Sequence, residues 1–167
     1  MSIPPVIREA GTRPTPLPEH RALLQDMRSA LLSEIGARTI YARLATRGIR
    51  EDLRLLLERF EQESEQILER LGALMSDMGG VLPHTSLRRR LLAAALARLA
   101  PVIGIRPILR LCQHAEETVS RWYASYSAFL AEIGDEDRSR TCQELSVAKL
   151  LHAQALSAWL SNLRRLD

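Results

Sequence analysis

Apolar residues recur along most of the chain at alternating steps of three and four, the spacing that lines one face of an α-helix. The clearest run is Leu109 to Ile133. Leu109, Cys112, Val119, Tyr123, Tyr126, Leu130 and Ile133 keep the rhythm there, and one position in phase with them, Glu116, carries a carboxylate. A first helix is predicted from about Glu19 to Thr46, with Leu24, Met27, Leu31, Ala37, Tyr41 and Leu44 as its stripe. At about 100° per residue, Glu34 falls near the centre of that stripe. A second is predicted from about Glu51 to Asp77, with Leu53, Leu57, Phe60, Ile67, Leu71 and Leu74 inward, Ser64 on the seam and Glu63 beside it. Gly79 and Gly80 stop this helix. The last helix is expected from about Arg138 to Leu163, after Gly134 and the acidic turn Asp135 to Asp137. Its inner stripe is read as Leu145, Ala148, Leu151, His152, Ala155 and Trp159, with Glu144 belonging to it.

The stretch Val81 to Arg106 is the least regular. Ser86 is placed to cap a helix carrying Arg88, Arg89 and Arg90, and Pro101, Gly104 and Pro107 interrupt or kink its continuation. It is long enough to run the length of a helical body. The expected fold is therefore all-α: an up-down-down-up four-helix bundle with a helical crossover between its second and third helices. Residues 1–18 hold five of the eight prolines and read as an N-terminal arm, leaving 19–167 as the bundle.

Composition supports this. Hydrophobic residues make up 46% of the chain but aromatics only 4%, which favours packed helices over sheet. The charge of +3 is too mild to argue for nucleic acid, and Lys149 is the only lysine. Cys112 and Cys142 make no metal-ligand spacing and are expected as buried free thiols. With neither a signal-peptide pattern nor a run of about 18 apolar residues, a cytoplasmic protein is expected. No Gly-rich phosphate loop or nucleophile elbow supports a kinase or hydrolase.

The chemistry lies in one glutamate per helix: Glu34, Glu63, Glu116 and Glu144. Four carboxylates from four helices are how bundles hold paired iron or manganese ions. The usual pattern adds a histidine three residues after the glutamate on two helices, and here those positions are Gln66 and Val147. Valine cannot ligate, and glutamine offers a neutral oxygen. The other reading is ion pairing four residues apart: Glu34 with Arg38, Glu63 with Arg59, Glu144 with Arg140. Glu116 has no such partner, which leaves it protonated or bound by Gln66 or a tyrosine of a neighbouring helix. His152, two turns after Glu144, is read as a core or interface residue, with a shifted metal site as its alternative. His114 is expected to face solvent, His20 and His84 to lie in or near loops, and Trp122, Tyr123 and Tyr126 to pack in the core.

Four segments, SEIGARTIY, FEQESEQILERLGALM, AEETVSRWY and TCQELSVAKLLHAQA, together resemble the ligand segments of the demethoxyubiquinone hydroxylase family. That family belongs to the ferritin-like superfamily with the rubrerythrins and bacterioferritins. The resemblance spans about Leu31 to Ala155. It implies that Glu34, Glu63, Glu116 and Glu144 stand where the family's carboxylate ligands stand, with Gln66 and Val147 in place of both histidines. The function it implies is a ferritin-like protein with a degenerate dimetal site, acting without a cofactor as a binding, scaffold or assembly module. The alternative keeps iron or manganese on the four glutamates for oxidation, storage or quinone-type hydroxylation. A homodimer or larger homo-oligomer is expected, with a protein partner and no nucleic acid. The basic, apolar-faced stretch Leu87 to Leu111 is open to three readings: peripheral membrane contact, a buried crossover or a dimer interface.

Overall fold

The computed structural model describes residues 18–47, 49–83, 95, 102 and 104–163. Four long helices organise them: α1 (Pro18–Ala45), α2 (Glu51–Asp77), α3 (Ile105–Glu132) and α4 (Glu136–Leu163). No strand occurs among the described residues. The four long helices expected are all present. The largest difference is that α3 starts four residues early, taking Pro107 into its first turn, where a missing N–H leaves no helical bond unmade. The tight turn into α4 uses Gly134 at φ +80, with the Asp135 amide donating to the Leu130 carbonyl at 2.8 Å. Asp135 Oδ1 then accepts the Arg138 amide at 3.3 Å, and Glu136 and Asp137 place negative charge in the first turn of α4.

The core falls into two apolar clusters, one at each end. The first joins Met27 and Leu31 of α1, Leu71 and Met75 of α2, Tyr126 and Leu130 of α3, and Cys142 and Leu145 of α4. The second joins Leu44 of α1, Leu53 and Phe60 of α2, Ile108 and Leu109 of α3, and Leu156 and Leu160 of α4. Between them lies a layer of buried polar side chains. α1 packs along α2 and α3 along α4, while α1–α3 and α2–α4 meet along thinner seams. The α3–α4 seam is close because serines face each other across it. Ser120 pairs with Ser146 and Ser127 with Ser139, each hydroxyl satisfied.

Helix α4 is rotated from the expected phase. Its buried face is Cys142, Leu145, Ser146, Lys149, His152, Ala153, Leu156 and Leu160, whereas Leu151 is 56% exposed and Glu144 points to solvent. The cause is that α4 carries apolar residues around its whole circumference. Val147, Leu150 and Leu151 remain exposed because the intimate seam with α3 selects the face bearing Ser146. Trp122, expected in the core, is 38% exposed, while Tyr123 and Tyr126 are buried. Ile133 lies past the end of α3 and is exposed. His20 sits in the first turn of α1, its Nε2 3.2 Å from the Met78 carbonyl oxygen.

Cys112 and Cys142 are buried free thiols, and burial pushes both up to about 12. The N-terminal arm (except Pro18), His84, Ser86, Arg88 to Arg90 and most of the Leu87 to Leu111 stretch lie outside the described residues. No described helix is long and apolar enough to cross a membrane.

Candidate functional site

Helical spacing sets the centre. Glu34 and Tyr41 are seven residues apart on α1, as are Glu116 and Tyr123 on α3, so each pair shares a face two turns apart. The two helices place these faces together in opposite order. The Tyr41 hydroxyl donates to Glu116 Oε1, and the Tyr123 hydroxyl donates to Glu34 Oε1 at 3.2 Å. Into the space between the carboxylates α4 inserts Lys149. Its Nζ donates to Glu34 Oε2 at 2.9 Å and lies 2.5 Å from Glu116 Oε2. Lys149, Glu34 and Glu116 are each no more than 2% exposed.

One turn along α4, His152 links this centre to the surface. Its Nε2 donates to Glu63 Oε2 at 2.6 Å, since an ionised carboxylate can only accept, and its Nδ1 lies 3.4 Å from Glu116 Oε2. The ring stacks on Phe60 at 4.2 Å, and Tyr41 meets Phe60 edge-on. Glu63 is about a third exposed and takes a 2.7 Å hydrogen bond from Arg59 outside. Glu116 Oε2 and His152 Nδ1 make no aligned hydrogen bond, so their contacts are electrostatic. Ser64 Oγ, buried on α2, has no hydrogen-bond partner among the described residues.

The electrostatics follow from burial opposed by charge. Burial raises Glu34 above the usual carboxylate range against the pull of Lys149, and the Glu116 charge adds to the rise. Burial acts on Glu116 in the same direction, but Lys149 and then His152 outweigh it and hold it low. Burial would lower Lys149; the two glutamates more than offset this and keep it charged. Tyr41 and Tyr123 are pushed well up, first by burial and then by the carboxylates they touch.

Glu34 and Glu116 thus meet, as expected, and Glu63 joins them through His152. Glu144 does not. It is exposed and pairs with Arg70 of α2, because the α4 face that turns inward carries Lys149 instead. Gln66 and Val147 are exposed as well. Of the expected ion pairs, Glu63–Arg59 forms, while Arg38 pairs with Glu65 and Arg140 lies 3.9 Å from Asp137. Glu116 is held by a tyrosine, one of the partners open to it. Iron or manganese does not fit this donor set. The Lys149 ammonium stands where a metal would need the same oxygens, and among the described residues no group of three or more His, Cys, Asp or Glu is placed to hold a metal ion.

The residue missed in the sequence is Lys149. Its signal was present: the chain's only lysine, in phase with Cys142, Leu145, His152 and Leu156 at three- and four-residue steps. Compared with protein-family models, curated proteins and solved structures, the chain matches none.

Proposed function

We propose that this chain is a ferritin-like four-helix bundle whose dimetal position has been taken over by its own lysine. It serves as a non-catalytic binding, scaffold or assembly module, working as a homo-oligomer. Support for the fold comes from which helix ends share a cluster. The start of α1, the end of α2, the end of α3 and the start of α4 lie together, an up-down-down-up order that needs a long connection between α2 and α3.

The observation that carries the functional reading is Lys149 Nζ, within 2.9 Å of one carboxylate and 2.5 Å of the other, in a site closed to water. Buried carboxylates require a compensating positive charge, which a bundle of this kind otherwise takes from metal. Here the chain supplies it. An ammonium has no open coordination position and no redox couple, so oxygen activation has no seat at this centre.

Metal analysis of untagged protein from iron- and manganese-supplemented medium tests this, with Glu34→Ala and Glu116→Ala run alongside. Folded wild-type protein with far less than one metal per chain is expected. Stoichiometric metal that disappears in both variants would overturn the proposal.

A further inference from the structure

The same centre holds an amine, a carboxyl group and two flanking proton-transfer groups, sealed from solvent. From this geometry we infer that Lys149 and Glu34 condense into an intramolecular amide, a self-made cross-link between α4 and α1. The inference rests on Lys149 filling the centre, as proposed above, and adds a covalent reaction to it.

The four parts of an acyl transfer are in place. Lys149 Nζ is the nucleophile, 2.9 Å from Glu34 Oε2. Tyr123 donates to the other oxygen, Glu34 Oε1, at 3.2 Å, where charge develops when the carbonyl carbon is attacked. Glu116 Oε2, 2.5 Å from Nζ, is the base. Tyr41, Lys149 and His152 all face Glu116 and keep it a carboxylate, which suits it to receive a proton rather than to be attacked.

The steps balance without any outside reactant. One Nζ proton moves along the 2.9 Å hydrogen bond to Glu34 Oε2, leaving an amine facing a neutral carboxylic acid. The two glutamates hold Lys149 charged at rest, so this transfer runs uphill, and the 2.9 Å hydrogen bond gives it a direct path. Nζ then attacks Cδ of Glu34 and forms the C–N bond. Glu116 takes a second proton from Nζ, and negative charge on Oε1 is held by the Tyr123 hydroxyl. The carbonyl re-forms, the Cδ–Oε2 bond breaks, and Glu116 returns its proton so that Oε2 leaves as water. The third Nζ proton stays as the amide N–H. No electrons are exchanged with a second molecule. The amine and acid are pre-positioned, which removes the entropic part of the barrier, and the dry surroundings disfavour the reverse hydrolysis.

Intact-mass measurement on the denatured full-length protein reads the result directly. After correction for any removal of Met1, the expected chain is lighter than its sequence mass by one water. Tryptic digestion then gives a linked species joining residues 29–38 to 141–164, because an acylated Lys149 blocks cleavage after it. Lys149→Met and Glu116→Gln are expected at full sequence mass. Should either variant fail to fold, the wild-type spectrum still decides. Wild-type protein at full sequence mass overturns the inference, and a link to residues 111–121 overturns Glu34 as the acceptor. Full mass in metal-free protein removes the cross-link and leaves the functional proposal standing, whereas stoichiometric metal removes that proposal.

Discussion

The four glutamates picked out by helical periodicity divide into two unlike pairs. Glu34 and Glu116, on α1 and α3, are buried and share Lys149 between two tyrosine hydroxyls. Glu63 and Glu144 belong to the α2–α4 side. Glu63 is part-exposed and tied to Arg59 and His152, while Glu144 is solvent-facing and tied to Arg70. The difference teaches that depth decides what a carboxylate requires. At the axis a charge must be compensated by a partner equally withdrawn from water. At the rim, water and a mobile arginine suffice, and the pair contributes little.

This contrast can be broken at graded cost. Lys149→Met leaves two carboxylates facing each other in the core and is expected to destabilise by about 3–5 kcal/mol in urea unfolding. A variant as stable as wild type would show that Glu34 and Glu116 need no lysine. Tyr41→Phe removes the donor from Glu116 Oε1 without changing shape much, and the expected loss is about 1–3 kcal/mol.

On the other side, burial pushes Glu63 up, but its hydrogen bonds with Arg59 and His152 bring it below its ordinary value. Its folded-state value is thus lower than in the unfolded chain. The stability it contributes is present above the ordinary carboxylate value and disappears as pH falls through the depressed one. Glu63→Gln should therefore flatten the acid limb of a melting-temperature profile between neutral pH and about pH 3, while costing about 1 kcal/mol or less at pH 7. An unchanged acid limb would count against the Glu63–His152 link. Glu144→Ala should change stability by no more than about 0.5 kcal/mol, and a larger loss would place it nearer the axis than its exposure allows.

Much of the fold was legible in the sequence because three of the helices have a single apolar stripe. Leu53, Leu57, Phe60, Ile67, Leu71 and Leu74 of α2 all turned inward, and Glu34 sat at the stripe centre where periodicity placed it. Helix α4 defeated the same reasoning. With Leu145, Val147, Leu150, Leu151, Leu156 and Trp159 spread around it, hydrophobicity alone does not fix its rotation, and the phase read from it put Glu144 inside. The deciding term is the Ser120–Ser146 and Ser127–Ser139 contact with α3, a pairing between distant residues that no single-helix pattern contains. Lys149 was hidden by the same rotation. The site was thus half readable: its carboxylates from spacing, its cation only from the packing of α4.

Everything turns on Lys149 being at the centre because Glu34 and Glu116 are there. The most direct measurement is the unfolding free energy of Lys149→Met set against the triple variant Lys149→Met, Glu34→Gln, Glu116→Gln. If the lysine answers those two charges, neutralising both glutamates should restore most of what the single substitution loses. A triple variant no more stable than Lys149→Met would contradict that, and would mean that Lys149 holds the bundle by its packing or by the amide inferred above rather than by its charge.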